Sequence, residues 1–197
     1  MRTGRLEAFS DAVIAILITI MVLELKIPHG ATLDALRPLL PIGLTYVLSF
    51  AYLAIYWNNH HHMLQVTDHV NGTILWANMH LLFWLSLVPV ATGWMGENGF
   101  KTLPTVAYGV VLLLSAVAYY LLQSTIIAEQ GPGSKLRAAV GKDWKGRASP
   151  AIYVAAIGLT FADHWVGLAL YVVVALMWLV PDRRLERTLA PTPEAVR

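Results

Sequence analysis

Predominantly apolar stretches follow one another along the 197-residue chain at 6–25, 39–60, 72–94, 103–128, 149–162 and 165–181, each bounded by polar or turn-forming residues. A helix rises about 1.5 Å per residue, so about 20 residues cross the hydrocarbon core of a bilayer. The first four stretches meet that length. The last two are shorter, and only Asp163 and His164 separate them. One continuous helix would hold that polar pair at the bilayer centre, so the pattern predicts a tight helical hairpin instead. The expected architecture is an all-α integral membrane protein with six transmembrane helices per subunit over residues 1–182. Residues 183–197, ending in "APTPEAVR", read as a short disordered cytoplasmic tail.

Composition agrees with that class. Hydrophobic residues make up 57% of the chain and charged residues 13%, against roughly 25% charged in an average soluble domain. Mean hydropathy is +0.58. The net charge of +2 and the lack of a basic helix with interleaved aromatics argue against nucleic acid as a partner. There is no cysteine, which excludes disulfides, thiolate metal sites and cysteine nucleophiles. Lys and Arg then set the orientation. With the N-terminus inside, eleven fall on the cytoplasmic side: Arg2, Arg5, five cations in 135–147 and four in 183–197. Only Lys26, Arg37 and Lys101 fall outside. Both termini are therefore expected in the cytoplasm of a multi-pass cell-membrane protein. Arg2 and Arg5 ahead of an apolar run also suit a signal peptide, but Asp11 interrupts the run and no small-x-small cleavage site follows.

The first stretch, "RLEAFSDAVIAILITIMVLEL", raises a sharper question, because an acid enters it one residue before the apolar run. At about 100° per residue, Phe9, Ala12, Thr19, Ile20 and Leu23 fall within about 60° of Ile16 and form one stripe. Ser10 and Asp11 lie roughly 120° to 140° away from Ile16. A carboxylate facing lipid is costly, so Asp11 is expected against other helices, with the first helix central in the bundle.

Arg5-x-x-x-Phe9-Ser10-Asp11 resembles the RxxxFSD motif of the transmembrane protein 175 family, potassium channels of endolysosomes with single-unit prokaryotic relatives. Trp57 and His60 late in the second stretch, Trp76 and Asn78 in the third, Pro89 after them and "LVPDRRLE" at the end of the sixth extend the likeness over nearly the whole chain. The resemblance implies a homotetramer whose four first helices line a central pore for potassium ions. It implies Ile16 as a hydrophobic constriction, Thr19 one turn outward, and Ile20 and Leu23 continuing the lining. It also implies a polar network of Arg5, Ser10 and Asp11 with Trp57, His60, Trp76 and Asn78 that anchors the first helix. Thr19 is the only hydroxyl on the stripe and can offer oxygen to a partly dehydrated cation. No TVGYG-type loop is present, so selectivity from a ring of backbone carbonyls is not expected; a hydrophobic ring gates by dewetting, with moderate potassium preference.

Other constellations carry less. His60, His61 and His62 point about 100° apart on a helix and cannot converge on one ion, so neither a metal nor any other cofactor is expected. These histidines could instead respond to pH. His80 and Trp84, one turn apart, read as buried helix contacts. No nucleophile, base and metal set gathers at one depth, so the chain is not expected to be an enzyme. The competing reading is a proton-permeable channel or a proton-coupled secondary transporter that uses Asp11 and the histidines. Broken helices and internal repeats, the usual marks of a carrier, are not evident.

Overall fold

The computed structural model describes residues 3–141 and 143–179, and all regular structure among them is helical. The helices are α1 (Thr3–Leu23), α2 (Leu40–Gln65), α3 (Gly72–Ser86), α4 (Val88–Glu97), α5 (Thr102–Gln130), α6 (Lys135–Val140), α7 (Trp144–Thr160) and α8 (His164–Leu179). Short 3-10 turns at Leu33–Leu39 and Gly131–Gly133 lead into α2 and out of α5. Four helical runs are long and apolar enough to cross a membrane: Thr3–Leu23, Leu33–Gln65, Gly72–Glu97 and Thr102–Gly133. The expected tail at 183–197 and most of "LVPDRRLE" lie outside the described residues.

The third apolar stretch is one run in sequence and two helices in space. Pro89, the second residue of α4, has no N–H and its ring crowds the carbonyl four residues back, so the ladder breaks at Leu87. The Leu87 N–H turns to the Trp84 carbonyl at 3.2 Å, and a new helix, α4, starts at Val88. The second stretch runs longer than its apolar pattern, and the histidine run continues as helix to Gln65.

The last two stretches form the expected hairpin. α7 and α8 pack along each other and are joined by three residues. Asp163, one of the two polar residues that interrupted the apolar pattern, closes the turn: its Oδ1 accepts from the Trp165 N–H at 2.8 Å. α5 forms the backbone of the subunit, touching α3, α4, α7 and α8. Between α2, α4, α5 and α8 lies a buried hydroxyl network. Ser49 Oγ bonds Thr92 Oγ1 at 2.6 Å and the Tyr108 hydroxyl at 2.9 Å, while the Tyr52 and Tyr171 hydroxyls donate to the carbonyls of Tyr171 and Thr105.

Close approach at this point depends on Gly109. A Cβ there would meet the Tyr171 hydroxyl and ring and the Ile157 side chain. Without a side chain α5 can lie against α7 and α8. Gly109→Val should therefore lower the stability of the purified protein by about 1 to 3 kcal/mol, as overpacking of a fitted core does. A thermal melt followed by size-exclusion chromatography reads the loss, and an unchanged melt would show that the contact can open freely.

α1 is not central within the subunit. It packs on α2, α3 and α4 through Leu6, Ser10, Ile14, Leu17 and Met21, which recur every three or four residues along one face. The opposite face is open.

Candidate functional site

The open face of α1 carries the stripe read from the sequence. Phe9, Ile16, Ile20 and Leu23 are all exposed, Ile16 at 54% and Leu23 at 82%, and Thr19 is exposed beside them. The Thr19 hydroxyl donates to the Ile16 carbonyl at 2.9 Å, a bond within its own helix. That bond uses the proton and leaves the oxygen's lone pairs on the outer side.

Behind this stripe, three of the motif residues meet. Asn78 on α3 is fully buried; its Nδ2 donates to Ser10 Oγ on α1 at 3.0 Å, and its Oδ1 lies 2.7 Å from His60 Nε2 on α2. With the amide so oriented, His60 donates through Nε2. The Ser10 hydroxyl donates in turn to the Leu6 carbonyl at 2.9 Å. A chain of buried hydrogen bonds thus joins α1, α2 and α3, and each member satisfies another in a place that water does not reach.

The other residues assigned to the anchoring network lie outside this chain of bonds. Trp57 is exposed and stacks on His61, with ring centroids 5.8 Å apart. Trp76 is 78% exposed, and Arg5 is exposed on α1. Asp11 sits at the edge of the α1 contact face. Its Oδ1 is shut off from solvent but has no hydrogen-bond partner among the described residues. His80 differs from expectation: it is exposed on α3, where the Trp84 indole N–H donates to its Nε2 at 2.9 Å, while Trp84 itself is half-buried against the core. The sequence reading missed Ser49, Thr92 and Tyr108. Their signal was present only as hydroxyls among others on largely apolar helices, which must find partners when buried.

Residues 5–89, from the motif arginine to the proline that breaks the third stretch, match the family model of the endosomal/lysosomal potassium channel TMEM175. A relative from Chryseobacterium sp. (strain P1-3), named as a potassium channel, is 51% identical over 189 residues, covering 96% of this chain and 98% of its own. The chain belongs to the TMEM175 family. A second relative, named as a potassium channel of Chamaesiphon minutus, is 29% identical over 88% of this chain and 92% of its own. The crystal structure of a lysosomal potassium-selective channel TMEM175 homolog from Chamaesiphon minutus superposes with a TM-score of 0.81 at 27% identity, over 91% of this chain and 97% of that one. A TMEM175 chain with these apolar helices is a multi-pass membrane protein. Within the motif Ser10 is the buried member, Asp11 is half-buried, and Arg5 and Phe9 are exposed on α1.

Proposed function

We propose that the protein is a potassium-selective cation channel of the cell membrane, a homotetramer in which the four α1 helices surround the pore. In this reading α3 and α4 together make one span and α7 and α8 the last two, giving six spans per subunit and both termini in the cytoplasm. The observation that carries it is the division of α1. One face is fitted to α2, α3 and α4, while the face bearing Phe9, Ile16, Thr19, Ile20 and Leu23 is left exposed by its own chain. One such stripe cannot enclose an ion path, whereas symmetric copies can. The names of the relatives as potassium channels supply the ion. Arg5, Trp57 and Trp76 are exposed in the single chain, which supports a reading in which they meet a neighbouring subunit.

Ile16 is assigned to the constriction, where four isoleucine side chains exclude water. Thr19 is assigned to ion preference, because it alone on the stripe presents oxygen to a cation that has shed part of its hydration. Purified protein in a planar bilayer under a potassium–sodium bi-ionic gradient should show unitary currents with a reversal potential favouring potassium. Thr19→Val keeps the side-chain shape and removes the oxygen, so the preference should fall several-fold while the current remains. A reversal potential unmoved by the change would remove Thr19 from the ion path, and the lack of unitary currents in the parent protein would overturn the channel reading.

A further inference from the structure

We propose that Glu7, Asp11 and His61 form a binding site for a divalent metal of the zinc class, tying the start of α1 to the end of α2. One donor atom from each of the three side chains lies within 4.8 Å of the other two. Glu7 and Asp11 are four residues apart on α1 and share a face, where two like charges repel by a few tenths of a kcal/mol. No Lys or Arg forms an ion pair with either acid among the described residues, and the group facing them is His61.

The hydrogen bonding around the cluster is incomplete. His61 Nδ1 lies 2.8 Å from Glu7 Oε1, but the two are not aligned as a hydrogen bond. Asp11 Oδ1, closed off from solvent, also lacks a donor among the described residues. Glu7, Asp11 and His61 thus converge with Asp11 Oδ1 and His61 Nδ1 outside any aligned hydrogen bond, an arrangement that a cation completes once Nδ1 is free of its proton. The remaining faces of His61 are already held. Trp57 stacks on the ring, and Gln65 Nε2 lies 2.7 Å from His61 Nε2. When Nδ1 takes a metal, Nε2 must carry the ring proton, and the Gln65 amide can turn its oxygen to accept it. Metal binding then releases whatever proton Nδ1 or the carboxylates held.

The donor set selects the ion. One imidazole and two carboxylates suit zinc or a neighbouring late first-row divalent ion, with water filling the fourth position, whereas magnesium and calcium prefer all-oxygen sites. In a tetrahedral site the donors lie about 3.3 Å apart, so donors within 4.8 Å of one another need to close in by at most about 1.5 Å to bind. The cluster is open to entry, since His61 and Glu7 keep 30% and 23% of their side-chain surface exposed. Consecutive histidines in the run could not meet on one ion; the missing ligands come from another helix. A metal here would hold the first turns of α1, and its effect on conduction, unlike its binding, rests on the pore reading above.

The test needs no current. Full-length protein purified in detergent and stripped with chelator is titrated with zinc chloride in a calorimeter, with magnesium and calcium chlorides as controls. One zinc per chain is expected. Glu7→Gln and His61→Gln should each weaken it about tenfold or more, with elution profiles unchanged, while His62→Gln should leave it alone. Cobalt loaded into the parent protein should show the absorption of a site with one imidazole and oxygen ligands, a readout that survives if a variant fails to fold. No zinc uptake, parental affinity in both variants, or a cobalt spectrum with two or more imidazoles would overturn the site.

Discussion

Ile16→Asn is expected to raise resting ion flux several-fold in liposomes while the elution profile of the assembled protein stays the same. In the channel proposed above, the barrier assigned to Ile16 is an absence of water: a ring of branched apolar side chains would make the constriction too dry for a hydrated cation. An amide at the same place can hydrogen-bond to water, so the constriction wets and the barrier falls. Stability should change little, because Ile16 is 54% exposed and contributes nothing to the face that α1 presents to α2, α3 and α4. Ile14, two residues earlier, provides the contrast within one helix. It is fully buried, and an Asn there would place an unpaired amide in the subunit core at about 1 to 3 kcal/mol, besides the lost packing. Ile14→Asn should therefore lose assembled protein without gaining flux. Ile16→Asn that misassembles in the same way would mean the stripe is a packing surface. Unaltered flux through an intact assembly would remove Ile16 from the constriction.

The division of α1 into two faces was legible because helical period alone settles it: Phe9, Ile16, Thr19, Ile20 and Leu23 fall on one side at any tilt. What lies opposite was not legible. A wheel places Ser10 and Asp11 off the stripe but does not say which element receives them. Ser10 meets Asn78 across 68 positions of chain, while its neighbour Asp11 points toward Glu7 and His61. Helix ends and breaks failed for local reasons. Hydropathy ran continuously through Leu87 although Pro89 breaks the backbone ladder there, and it faded at the histidines although the helix continues through them. The one-turn spacing of His80 and Trp84 makes them partners but does not say which side of the helix they occupy: Trp84 packs on the core and His80 faces outward, because a membrane helix is apolar on its outward face too. The interior of the subunit was the least legible part. Ser49, Thr92 and Tyr108 are each common residues, and only their convergence from α2, α4 and α5 makes them a network.

Asn78→Leu is expected to lower the melting temperature of the purified protein by roughly 2 to 12 °C, although leucine keeps the branched skeleton of the asparagine side chain. The argument turns on what is left behind. Ser10 keeps its own bond to the Leu6 carbonyl and loses only an incoming donor. His60 loses more: Asn78 is the partner of Nε2, Nδ1 has no hydrogen-bond partner among the described residues, and the ring is fully buried. Stranding a buried polar group costs about 1 to 3 kcal/mol, and each kcal/mol moves the melt of a chain of this size by about 2 to 4 °C. The cost thus belongs to the orphaned imidazole and not to the missing amide, which makes it reversible. Replacing His60 by Leu in the same chain removes the orphan, and substituting both partners of a buried bond by apolar groups can be close to neutral. The double variant should therefore melt above Asn78→Leu, with a coupling between the two sites of about 1 kcal/mol or more. A double variant whose loss equals the sum of the two single losses would show that His60 and Asn78 act separately, and that α1, α2 and α3 are held together by apolar packing alone.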